Sequence, residues 1–177
     1  GVTRTALAAG DPCASGNAVA CENSKPGNPS TEWDLTNGAG ASTIQGFATQ
    51  MSVNPGATVQ FKIKSTAAYS IKVYRLGYYN GLGARLQSST ISVADPGTQP
   101  TCLNEASTQN YDCGNWLVST SWAVPSSSVS GVYIAHLVQA NGDDSHITFV
   151  VRDDSSHSDV VLKTSDMTWQ AYNAYGG

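Results

Sequence analysis

Positive charge is scarce in this sequence. Nine Lys and Arg stand against thirteen Asp and Glu, for a formal net charge of −4. A nucleic-acid surface needs clustered basic side chains to displace counterions, so no nucleic-acid partner is expected. Charge of either sign is sparse: 12% of residues are charged, about half the usual ~25%. No apolar run approaches the ~18–20 residues of a membrane helix, so no membrane partner is expected either. Apolar residues at i, i+3 and i+4 do not recur over any window of about eleven residues, and no helix is predicted. A basic-then-apolar leader is missing from Gly1-Val2-Thr3-Arg4, so an exported chain is expected here in processed form.

What remains is a turn-rich, hydroxyl-rich chain of 177 residues with 17 Gly and 40% hydrophobic residues. That is enough for one domain with a core, or one domain plus a fragment. Alternation of apolar and polar residues is clearest at 57–64, where Ala57, Val59, Phe61 and Ile63 share a face, the signature of a half-buried strand. Further strands are predicted at 69–76, 116–124, 132–138 and 146–152, with weaker ones near 44–53 and 86–93. Trp116, Val118, Thr120, Trp122 and Val124 share the face of the third, which Pro125 ends. Asn141-Gly142 between two alternating runs is a strong hairpin signal.

These elements predict an all-β fold, an immunoglobulin-like antiparallel β-sandwich with an irregular N-terminal arm and a C-terminal tail, with a jelly roll as the other plan. Residues 1–41 form the arm, pinned to the body by Trp33. Residues 42–152 form the sandwich. Residues 153–177 are a polar linker, an apolar strand at Val160-Val161-Leu162 and the start of a second domain or a docked tail.

Cys13, Cys21, Cys102 and Cys113 allow three pairings. Turn formers between Cys13 and Cys21, and between Cys102 and Cys113, favour the local pairing. Each bridge would contribute about 2–3 kcal/mol by restricting the unfolded chain. Zinc is the competing reading, but Cys-x2-Cys spacing is absent and His136, His146 and His157 are not placed to complete a site. Disulfides imply a secreted, extracellular protein.

Chemistry concentrates at Tyr74-Arg75-Leu76-Gly77-Tyr78-Tyr79-Asn80-Gly81-Leu82-Gly83-Ala84-Arg85, with three Tyr, two Arg and three Gly. Aromatic faces stack on sugars and glycines keep a loop low. Tyr78, Tyr79 and Arg85 are therefore candidate ligand residues for carbohydrate. The plainer reading is a twisted hairpin whose tyrosines pack on the sandwich. Trp116 and Trp122 read as core; Trp33 and Trp169 lie in irregular segments, which leaves exposure open for both. His136 and His146 could face each other across a hairpin, but no nucleophile with a matched base accompanies them and no catalytic residue is assigned. Asp143-Asp144 and Asp153-Asp154 are loop carboxylates of the kind that hold calcium, without the Asp-x-Asp-x-Asp-Gly pattern.

Three stretches carry a resemblance: Cys21-Glu22-Asn23-Ser24-Lys25-Pro26-Gly27-Asn28-Pro29, the 74–85 segment, and Thr168-Trp169-Gln170-Ala171-Tyr172-Asn173. Together they resemble the N-terminal part of secreted bacterial N,N-dimethylformamidase β-subunit-like proteins. That resemblance implies a sandwich module ahead of a large catalytic-type domain, a metal-dependent amide hydrolase with tyrosine and acidic ligands to iron. Tyr172 is the one residue here that would correspond to a metal ligand, and one tyrosine cannot hold a catalytic metal. Iron is thus expected only with the downstream domain, which is the expected partner. The chain alone is expected to be a non-catalytic accessory module. Carbohydrate binding and a fragment of a metal-dependent amidohydrolase are the alternatives.

Overall fold

The computed structural model describes residues 10–171 apart from Ser15 and Gln109. The chain runs through helix α1 (Ala18–Asn23) and a 3-10 turn (Ser30–Glu32) into strands β1 (Ile44–Ala48), β2 (Ser52–Val53), β3 (Thr58–Ser65) and β4 (Tyr69–Leu76). A second 3-10 turn (Tyr79–Gly81) leads to β5 (Ala84–Leu86), β6 (Ile91–Val93), β7 (Leu103–Glu105), β8 (Asn110–Asp112) and β9 (Thr120–Ala123). The long hairpin β10 (Gly131–Gln139) and β11 (Asp144–Val151) follows, then helix α2 (Asp166–Ala171).

Two sheets form the sandwich. One has the order β1-β3-β9; the other has β2-β11-β10-β4-β5, with β6 also on β4. All pairings are antiparallel except β2 with β11. Alternation delivers one side of each strand to the space between the sheets. Val59, Phe61 and Ile63 of β3 meet Ile71 and Val73 of β4, Tyr133 and Leu137 of β10, and Ile147, Phe149 and Val151 of β11. Aromatic rings fill the middle: Phe149 lies 5.8 Å from Phe61, 5.8 Å from Tyr133 and 6.2 Å from Trp122, ring centre to ring centre. Burial pushes the Tyr133 phenol up to about 12, and its hydroxyl donates to the Val129 carbonyl at 2.7 Å.

A smaller apolar cluster lies on the opposite face of the larger sheet. Tyr74, Ala84 and Ile134 are buried there, with Trp33, Leu76 and Leu86 packed against them. Trp33 is half-buried and packs the arm onto the sheet, as its place in the sequence led one to expect, and its indole N–H donates to the Asn28 carbonyl at 3.1 Å.

The structure corrects three local expectations. The strand predicted at 116–124 is only Thr120–Ala123. Upstream, the Gln99 side-chain amide takes both backbone groups of Leu117, accepting from its N–H at 2.7 Å and donating to its carbonyl at 3.0 Å, so no strand neighbour can pair there. Trp116 is nonetheless buried, against Phe47. Val160, Val161 and Leu162 pair with no strand and are 81–84% exposed. Finally, the described residues include two α-helices where none was predicted; each is six residues long, shorter than the window in which helical periodicity can show.

Candidate functional site

The two disulfides join Cys13 to Cys21 and Cys102 to Cys113. The first fixes α1, whose N-terminus is capped by Asn17, its side-chain oxygen accepting from Ala20 N–H at 3.0 Å. Such a cap satisfies a donor that the first helical turn leaves free. The helix brings Glu22 and Asn23 against the end of the β4–β5 hairpin, so two of the stretches singled out in the sequence meet in space.

Glu22 is the centre of that junction and only 4% exposed. Its carboxylate accepts from Lys25 Nζ at 2.6 Å, Arg85 Nη1 at 2.9 Å, the Tyr79 hydroxyl at 3.2 Å and Gln87 Nε2 at 3.3 Å. Burial alone would raise its pKa; the hydrogen bond from Lys25 and the charges of Arg85 and Lys25 outweigh that and leave it below the usual carboxylate value. Burial holds the Tyr79 phenol in its protonated form, pushing its pKa up against the opposing pull of Arg75. A protonated phenol can donate to Glu22 while accepting from Arg75 Nη1, which it does at 3.0 Å. Arg75, 3% exposed, also donates to Asn23 Oδ1 at 3.2 Å and to the Ser130 carbonyl from Nη2 at 2.9 Å and Nε at 3.2 Å. A hydrogen-bonded chain therefore runs from the loop before β10 through Arg75 and Tyr79 to Glu22 and Arg85.

The three candidate ligand residues are separated by this arrangement. Tyr79 is fully buried, Arg85 is a third exposed and paired with Glu22, and Tyr78 is 68% exposed. Adjacent tyrosines part because Tyr79 and Asn80 have φ of 41° and 57°, left-handed values rare outside glycine. Only Tyr78 and its neighbour Leu82, 41% exposed, present a large apolar side chain from this turn.

Glycine is required where the two stretches touch. A Cβ on Gly77 would overlap Asn23 Oδ1 and stand 2.8 Å from both Arg75 Nη1 and the Tyr79 ring; one on Gly27 would stand 2.7 Å from Tyr79 Cβ. Gly77→Ala is expected to destabilise the chain by roughly 1–3 kcal/mol, as overpacking does, measured by thermal denaturation.

Asn28 was legible only as part of a turn, yet it seals the edge of the larger sheet. Its N–H donates to the Ala84 carbonyl at 2.8 Å and its side-chain oxygen accepts from Leu86 N–H at 2.8 Å. Glu22, Asn23 and Asn28 gave no chemical signal beyond their place in a recognisable stretch.

His136 and His146 do face each other, in register on β10 and β11 with rings 5.1 Å apart. The orienting group not identifiable from sequence is Asp144, whose Oδ2 lies 3.3 Å from His136 Nε2 and accepts from Thr36 N–H at 3.0 Å and Thr36 Oγ1 at 2.9 Å. The other loop carboxylates are likewise engaged. Asp143 accepts from Thr43 and Asn141, Asp153 from Ser155, and Asp154 from Asn54 and Arg152. Among the described residues no group of three or more His, Cys, Asp or Glu is placed to hold a metal ion. Tyr172 lies outside the described residues. Trp169, on α2, is half exposed.

The described residues thus form a disulfide-bonded β-sandwich with an internal polar cluster around Glu22 and Arg75. The chain belongs to a family: residues 70–177 match the model described as N,N-dimethylformamidase beta subunit-like, C-terminal. The match begins inside β4 and covers the hairpin turn, β10, β11 and α2. It lies in the C-terminal region of those proteins, where the motifs pointed to the N-terminal part. No curated protein matches the sequence. Among the described residues no helix is long and apolar enough to cross a membrane.

Proposed function

We propose that this chain is a non-catalytic accessory β-sandwich of an exported bacterial N,N-dimethylformamidase β-subunit-like protein, and that it holds or presents a hydrolase-like domain. The observation that carries this reading is Glu22. The single acid of the recognisable stretches is buried and accepts from four donors of its own chain, which is the work of an anchor. Two disulfides support an extracellular setting, and two sheets over one core, antiparallel but for the short β2–β11 pairing, support the immunoglobulin-like plan.

Carbohydrate recognition is the second reading, favoured by the exposed Tyr78 ring beside Leu82 and the part-exposed Arg85. One pair of experiments separates the readings. The purified, oxidised chain is assayed for amine release from N,N-dialkylformamides and screened on a glycan array, with Tyr78→Ala as control. The accessory reading expects neither turnover nor saturable binding. Saturable glycan binding lost in Tyr78→Ala would replace it with a carbohydrate-binding module. Turnover abolished by a chelator would replace it with an amidohydrolase.

A further inference from the structure

Along one side of the sandwich the two sheets meet without pairing. Thr49 N–H donates to the Gln60 carbonyl at 2.9 Å, which fixes the alternation of β1 and turns the backbone groups of Gly46 and Ala48 away from β3. Val150 N–H donates to the Met51 carbonyl, just before β2, at 2.9 Å. His146 and Thr148 share its parity on β11 and so face away from β10 as well. β1 pairs only with β3, and β2 reaches only Val150 and Val151. The N–H and C=O groups of four residues are therefore turned to the seam of β1 and β11 with no strand to meet them. The two edges run close together there: a Cβ on Gly46 would stand 3.0 Å from Ile147 Cδ1.

A cavity of about 170 Å³ lies on that seam. All four residues line it, with Phe47 and Met51 beside them and with Asp166 and Trp169 contributed by α2. A space of ~150 Å³ takes a molecule the size of benzene, so the occupant is small. Asp166 Oδ2 accepts from Thr164 Oγ1 at 2.8 Å, and among the described residues the carboxylate forms no ion pair. Burial sets the His146 pKa below the ordinary 6.5, which leaves that ring uncharged at neutral pH and Asp166 as the one charge on the wall. A carboxylate without a counterion, two aromatic rings, a thioether and free backbone carbonyls suit a cation with apolar substituents. The ring faces attract the charge, and the carbonyls and carboxylate accept its N–H groups. A metal ion needs several oxygen or nitrogen ligands, and no group of three or more His, Cys, Asp or Glu stands ready among the described residues. An anion would meet Asp166, and a neutral molecule would leave its charge unpaired.

We propose that the seam of β1 and β11, with Asp166 and Trp169 of α2, is a binding site for a small alkylammonium ion. Its N–H groups are held by Asp166 and the carbonyls of the two strand edges, and its alkyl groups lie against Phe47, Met51 and Trp169. Met51 and Trp169 are each about half exposed, so the ion enters from solvent without any strand moving. The Glu22 cluster takes no part. The site therefore stands independently of the accessory reading of the module.

The test is methyl NMR on the intact, disulfide-bonded chain with carbon-13 in the methionine methyl groups. The chain has two methionines. Met51 lines the cavity, while Met167 is 83% exposed on α2 and does not line it, so the second is an internal reference. tert-Butylammonium is the probe, and tert-butanol, of nearly the same shape and without charge, is its control, both at neutral pH and constant ionic strength. A saturable shift of Met51 with Met167 unmoved is expected from the ammonium, with the alcohol at least about tenfold weaker. Asp166→Asn should weaken the ammonium on the order of tenfold, as loss of a partly solvated unit charge does. Trp169→Leu should weaken it roughly two- to fivefold, the share of an exposed cation–aromatic contact. Should Asp166→Asn fail to fold, the ammonium against the alcohol on the native chain decides. No saturable shift at Met51, equal movement of Met51 and Met167, equal binding of the alcohol, or undiminished affinity in a folded Asp166→Asn would overturn the site.

Discussion

Replacing Arg75 by alanine is expected to cost roughly 3–4 kcal/mol, the range for removing one member of a buried charged network. In a chain of this size that is a fall in Tm on the order of 10 °C. Arg75 is 3% exposed, and its loss takes both side-chain donors from the Ser130 carbonyl and one of two donors from the Asn23 amide oxygen, which keeps the Tyr78 N–H, while leaving a void beside Tyr79. Arg75→Lys should recover little. A single ammonium cannot reach Ser130, Asn23 and Tyr79 at once, whereas the planar guanidinium presents its donors as a fixed fork. The contrast is Arg152, whose pairing with Asp154 leaves the two side chains 44% and 60% exposed; Arg152→Ala should cost under about 1 kcal/mol. Calorimetry on the three variants decides the matter. If Arg75→Ala proves as mild as Arg152→Ala, the cluster is not an anchor, and the reading of the chain as a structural module loses its main support.

The parts of the fold legible in advance are those where one face of a strand is dry and the other wet. The run Val59, Phe61 and Ile63 against Gln60, Lys62 and Lys64 declares both strand and facing. Asn141-Gly142 declares the β10–β11 hairpin, which then sets His136 opposite His146. Alternation has no voice beyond a turn. Tyr78 and Tyr79 are neighbours of one type, and only the left-handed backbone at Tyr79 and Asn80 sends one to solvent and the other to the interior. Partners far apart in sequence are equally silent. Thr36 reaches Asp144 across 108 residues and Glu22 reaches Arg85 across 63, and neither acid stands out by composition or spacing. The trace that did point to the junction was a pair of short stretches whose glycines leave room for each other's side chains.

Phe149→Ala is expected to be the most damaging single substitution in the sandwich, at about 3–5 kcal/mol. The ring is 1% exposed and touches Phe61 from the opposing sheet as well as Trp122 and Tyr133, so no neighbour can collapse into the space without moving a strand. This test also separates the two apolar clusters. Phe149 belongs to the cluster between the sheets, Trp33 to the one beneath the arm, and the two share no residue. Unfolding followed by far-ultraviolet circular dichroism should therefore lose most of its midpoint in Phe149→Ala. Trp33→Ala should mainly raise exchange and proteolysis in residues 28–36 at an almost unchanged midpoint. A large fall in midpoint for Trp33→Ala would mean that the arm is part of the cooperative core.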